Sequence, residues 1–183
     1  MTTLKEIKGQ TIQALDTDPS NLGAGQVWYN TTTNKLKITG AVSTSGAWAS
    51  GGNMGTGRRS TGSVGTQTAG LAFGGGDLDG SKNATEHYDG SAWTAGGNLG
   101  TSRYQLGGAG TQTAGLAFGG YSPSSPSNST NATEHYDGSA WTSGGNLGTA
   151  RYRLGGAGTQ TAGLAFGGYD GSLTNATEHY DDS

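Results

Sequence analysis

The chain has 183 residues, no cysteine, 37 glycines and a formal net charge of −3, and only 31% of its residues are hydrophobic. These values exclude a disulfide framework and a thiolate metal centre, and they disfavour a Leu-rich helical core. Without clustered Lys and Arg the usual electrostatic driving term for nucleic-acid binding is missing. No apolar run approaches the roughly 20 residues of a membrane span, and the N-terminal stretch shows no basic start followed by an apolar run, so neither membrane insertion nor a secretion signal is expected.

Residues 1–40 share no words with the rest of the chain and carry about +1 of the charge, from Lys5, Lys8, Lys35 and Lys37 against Glu6, Asp16 and Asp18. Leu4, Ile7, Ile12 and Leu15 are interrupted by Gly9, which suits an extended arm better than a long helix. Residues 26–30 and 35–38 flank the turn 31–34 and predict a hairpin. An arm of this kind beside a repeat domain reads as an attachment or oligomerisation device.

Residues 41–183 are a triplication, with copies at about 47–92, 93–140 and 141–183. TQTAGLAFGG occurs at 66–75, 111–120 and 159–168, and ATEHYD begins at Ala84, Ala132 and Ala176. Trp48, Trp93 and Trp141 each precede a GGN tripeptide, and ten residues after each stands Arg58, Arg103 or Arg151. Each copy predicts four short strands, in the middle one at 104–112, 114–119, 132–137 and 140–143. Within the second strand Ala114, Leu116 and Phe118 fall on one face and Gly115 and Ala117 on the other, so a bulky face and a bare face are available for stacking sheets. The Asp-Gly pairs at Asp89 and Asp137 predict type I′ hairpin turns.

The order of the strand ending in a Gly pair, then Tyr-Asp at Tyr88, Tyr136 and Tyr180, then Trp and Arg resembles a kelch motif. The Tyr-to-Trp step of five residues is shorter than that family's usual spacing, and the Pro commonly found before the Arg is missing. The alternation of GGNLGTARYxLxGAGTQTAGLAFGG with ATEHYDGSAWT resembles repeats of structural proteins in marine bacteriophages, especially cyanophages, and residues 19–38 resemble a short hairpin module of phage tail fibres. The resemblances imply an all-β fold of kelch-like blades. They also imply a virion component, made in the host cytoplasm, that meets other virion proteins through residues 1–40.

A Trp strand precedes the first copy, and the third copy stops before its own, so the copies are circularly offset. Three blades are fewer than the roughly four to eight of a propeller. Closure between chains, as a dimer or trimer, is therefore expected. A β-prism or β-trefoil, each closing within one chain around a single pseudo-threefold core, is the rival architecture.

Glu86, His87, Tyr88 and Asp89 and their copies contain the groups of a metal or acid–base site. An identical strand in every copy more naturally serves the blade, with polar side chains bridging to a neighbour. The three repeat Arg residues suit open carbonyls in the Gly-rich turns, or an anionic ligand. The repeat Trp residues suit packing, or stacking on a sugar ring. Asp77 and Asp79 resemble the start of a calcium loop that lacks its later ligands. No catalytic residue, cofactor site or metal site is assigned. Asn30, Asn83, Asn128, Asn131 and Asn175 sit in glycosylation-type tripeptides, which mean little without a secretory signal. The copies differ in the loop after the Gly pair, so Tyr121, Ser122, Asn128, Tyr169, Asp170, Asp77 and Asp79 are the candidate ligand-binding residues, and a host-surface glycan is the ligand class implied. The same loops also read as places where length is merely tolerated. A free lectin is the alternative function; an enzyme would need a unique carboxylate pair or ligand set, which the sequence does not offer.

Overall fold

The computed structural model describes residues 12–20, 26–38 and 46–182, and the chain divides into two compact units, Met1–Ala49 and Ser50–Ser183. Every regular element among the described residues is a β-strand. In the first unit β1 (Gln13–Leu15) runs parallel to β2 (Val27–Asn30), which turns through residues 31–34 into antiparallel β3 (Lys35–Ile38). The turn is closed by the Asn30 side-chain oxygen Oδ1, which accepts from the Thr33 N–H at 2.8 Å and the Thr33 hydroxyl at 2.9 Å. Asp18 gathers the sheet: its carboxylate accepts from Lys37, from Asn30 Nδ2 at 2.8 Å and from Trp28 Nε1 at 3.1 Å. These donors, Lys37 foremost, hold its pKa below the usual carboxylate range. The hairpin forms where the sequence places it, and β1 adds a third strand that the reading of an extended arm did not contain. Leu4, Ile7 and Gly9 lie outside the described residues.

The second unit holds three sheets of one design. In the first, β4 (Gly62–Thr66), β5 (Ala69–Phe73), β8 (Thr85–Tyr88) and β9 (Trp93–Ala95) form an antiparallel meander, with the ribbon β6 (Gly76–Asp77) and β7 (Gly80–Ser81) inserted in the loop after β5. The second sheet is β10 (Gly107–Gly110), β11 (Gly115–Phe118), β12 (Thr133–Tyr136) and β13 (Trp141–Ser143). The third has three strands, β14 (Gly155–Gly158), β15 (Ala162–Phe166) and β16 (Thr177–Asp181). Register repeats with the sequence: Leu71, Leu116 and Leu164 pair with His87, His135 and His179.

The alternation of β11 places Ala117 in one apolar cluster, with Leu71, Phe73 and Tyr136, and Leu116 and Phe118 in a second, with Leu147 and Leu154. Each cluster lies between consecutive sheets, so the described residues do not form the single enclosed core of a prism or trefoil. Nor is a closed barrel or propeller formed among the described residues. The sheets approach closely because their facing strands are nearly bare: a Cβ on Gly156 would lie 2.4 Å from the Gly108 carbonyl oxygen.

Two local expectations change. The strand predicted from residue 104 starts at Gly107, because Gln105 adopts a left-handed φ of 55° and breaks the extended run. Tyr104 instead bridges Tyr121. The turn after Tyr136 is not type I′. Only Gly138, with φ 96°, is left-handed, and the Asp137 carboxylate closes a four-residue loop by accepting from the N–H groups of Ser139 and Ala140, both at 2.8 Å. The Asp89 turn repeats these bonds.

Candidate functional site

Most of the triplicated polar groups are engaged inside the repeat unit, Gln67 and His179 at its two ends being exposed. Arg103 is fully buried; its Nη1 donates to the carbonyls of Gly119 and Ala132, at 3.1 and 2.6 Å, and its Nη2 to Glu134 at 2.8 Å. Burial pulls this guanidinium below its usual pKa range, and the Glu134 carboxylate opposes that shift. Its own backbone accepts from the Gly75 N–H of the first sheet at 2.9 Å. One residue thus clips two sheets together. Arg58 and Arg151 make the corresponding ion pairs with Glu86 and Glu178.

His87 on the first sheet meets the Tyr136 hydroxyl of the second at 2.6 Å, and His135 meets that of Tyr180 at 2.6 Å. Burial lowers the pKa of His87 and raises that of Tyr136, which favours the neutral form of both partners. Gln112 Nε2 reaches back to the carbonyls of Gly70 and Tyr88, and Gln160 Nε2 to those of Gly115 and Tyr136. Trp141 Nε1 donates to Thr85 Oγ1 at 3.0 Å, and its ring packs edge-on against Phe73 at 5.0 Å. Among the described residues no cluster of three or more His, Asp and Glu side chains is arranged to hold a metal.

The variable loops present a different surface. Tyr121 and Tyr169 are joined by Tyr104 and Tyr152 in a row of four half-buried rings, with successive centroids 4.9, 5.5 and 5.4 Å apart. The Arg153 guanidinium lies 5.6 Å from the Tyr152 ring centre. Tyr104 and Tyr152 escape the sequence reading, although each directly follows a repeat Arg; the first copy has Arg59 there, bridged to Gly76. The candidates around the row divide by exposure. Asn128 is exposed at a left-handed φ of 59°, and Asp170 is exposed beside Tyr169. Ser122 is 1% exposed, donating through Oγ to the Ser102 carbonyl at 3.2 Å, so it anchors the loop and leaves the ligand-binding set. Asp77 pairs with Lys82 at 3.0 Å, and that partner holds its carboxyl below the usual range, while Asp79 is exposed. The rings are tilted to one another by 38°, 86° and 51° along the row, and an aromatic row edged by an amide, a carboxylate and a guanidinium is chemistry suited to packing against and hydrogen bonding a sugar chain.

No protein-family model matches the chain, and the curated proteins contain no significant match to it.

Proposed function

We propose that the chain is a non-enzymatic structural protein of a phage particle, either a tail fibre or adhesin or a capsid or tail decoration. It displays β repeats for host-surface binding or particle stabilisation. The observation that carries a binding role is the contrast between the repeat groups, whose Arg and Glu side chains bond within a sheet and whose Gln, His and Trp side chains bond across sheets, and the tyrosine row, which stands at the variable loops. The likeness of the repeat wording to cyanophage structural proteins, and of residues 19–38 to a tail-fibre hairpin, supports placement in a virion. In this reading the sheets are kelch-like blades of a propeller-like ring closed between chains, two copies giving six blades, and residues 1–40 bind the other virion proteins.

The test is incorporation. Tagged chain produced during infection is expected to co-purify with particles at a fixed copy number, and deletion of residues 1–22 to abolish incorporation while the repeat unit stays folded. A chain that remains in the cleared lysate and still binds a glycan array would favour a free lectin, a reading the tyrosine row also supports. On that array, Tyr121→Ala together with Tyr152→Ala is expected to remove binding; unchanged binding would displace the row as the ligand surface.

A further inference from the structure

The two interfaces between sheets are built alike except at one place. At the first, Trp141 lies over Phe73 and Thr85 and packs on Tyr136 with ring centres 4.9 Å apart. At the second, the equivalent residues Phe118, Thr133 and Tyr180 line a pocket that opens to solvent. The edge of β16 beside this pocket has no further strand among the described residues. Trp48, whose sequence setting matches that of Trp141, is 104% exposed.

The segment that follows Trp48 is already seated. The Gly55 N–H donates to Glu86 at 2.6 Å as that of Gly100 does to Glu134 at 2.7 Å, and Arg58 clips the first sheet as Arg103 clips the second. A side chain on Gly96 would strike both His87 and Tyr136, at 2.6 and 2.7 Å; one on Gly51 would meet Tyr88 alone, at 2.7 Å. The first sheet therefore presents half of an interface.

The third sheet presents the other half. Phe166 is 43% exposed, where its copies Phe73 and Phe118 are 0% and 2% exposed. Gln67 is likewise exposed, where Gln112 and Gln160 bond the preceding sheet. A backbone ladder runs along the stack, with Gln105 N–H donating to Ser60 O at 2.9 Å and Arg153 N–H to Gln105 O at 2.8 Å, and the same step would carry Ser60 N–H onto Arg153 O.

We propose that the pocket is the seat of Trp48 from a second copy of the chain, whose residues 47–50 add to β16 as the fourth strand of the third sheet; this rests on the between-chain closure proposed above. The register follows from Tyr136↔Trp141, His135↔Thr142 and Glu134↔Ser143, and sets Tyr180 against Trp48, His179 against Ala49 and Glu178 against Ser50. Trp48 Nε1 donates to Thr133 Oγ1, and the incoming first sheet places Gln67 on the Gly163 and Tyr180 carbonyls and Tyr88 on His179. A second copy is the occupant because each group open at one end has its counterpart at the other, in a pairing the chain already makes between its own sheets. The contact is head to tail, so repetition closes a ring or extends a fibre according to the angle between copies.

The chain has no cysteine, so the register can be trapped directly. Differently tagged Ala49→Cys and His179→Cys chains, mixed and oxidised, are expected to give a mixed disulfide carrying both tags. Sedimentation over a range of concentrations is expected to show an oligomer that Trp48→Ala reduces to single-chain mass with unchanged circular dichroism. Thr133→Val is expected to weaken association about fivefold and Thr133→Ser to leave it intact. An oligomer that forms no mixed disulfide and ignores Trp48→Ala overturns the Trp48 seat while leaving between-chain closure standing. Single-chain mass at every concentration overturns both.

Discussion

The first and second interfaces of the repeat unit share the histidine–tyrosine and glutamine–carbonyl bonds, yet only the first contains an indole. At the first, Trp141 covers Phe73, and Glu134, the partner of Arg103, is 8% exposed at its side chain; Glu178, the partner of Arg151 in the third sheet, is 28% exposed. The polar bonds therefore set the spacing and register of the sheets, and the fourth strand decides how dry the ion pairs become. Stability should be graded along the unit, highest where a Trp strand is in place.

The largest expected effect tests that gradient. Arg103→Ala leaves Glu134 buried without its cation and is expected to lower unfolding stability by about 3–5 kcal/mol, against about 1–3 kcal/mol for Arg151→Ala, whose carboxylate partner can be hydrated. Equal losses in denaturant titration would abolish the distinction. Next, Trp141→Ala opens at the first interface the cavity that the second already has, and is expected to cost about 2–3 kcal/mol. A smaller effect sharpens the shared part: Tyr136→Phe removes the bond to His87 and is expected to cost about 1 kcal/mol, and Tyr180→Phe no more than that. If Tyr136→Phe is neutral, the bond is not what holds the sheets.

The smallest effect is on pH dependence. The folded-state pKa of His87 lies below its unfolded value, so the unfolded chain binds the proton more readily, and stability is complete above about pH 6.5 and declines as pH falls below it. His87→Gln should flatten that decline in thermal melts between pH 7 and pH 5. A slope unchanged by the substitution would assign it to other groups.

The sequence made much of this legible at the level of the single sheet and little of it between sheets. Alternation in Gly115, Leu116, Ala117 and Phe118 told which residues share a face, because strand periodicity is a local property. It did not tell that His87 would find Tyr136 of the next copy rather than Tyr88 of its own, since identical words cannot say which copy they address. The Asp-Gly turns were placed correctly and typed wrongly, because the Asp137 side chain, rather than a second left-handed residue, closes the loop. In the candidate site, Tyr121 and Tyr169 stood out through loop variability, whereas Tyr104 and Tyr152 were hidden in the constant frame and entered the row only when the Tyr104–Tyr121 and Tyr152–Tyr169 bridges formed.

The close approach of Gly156 to the Gly108 carbonyl has one more implication. Backbone contact between β10 and β14 sets a floor on the separation of the second and third sheets, so these strands act as a gauge block. Loops such as residues 121–130 can then lengthen or change composition without altering the pitch at which the sheets are laid down.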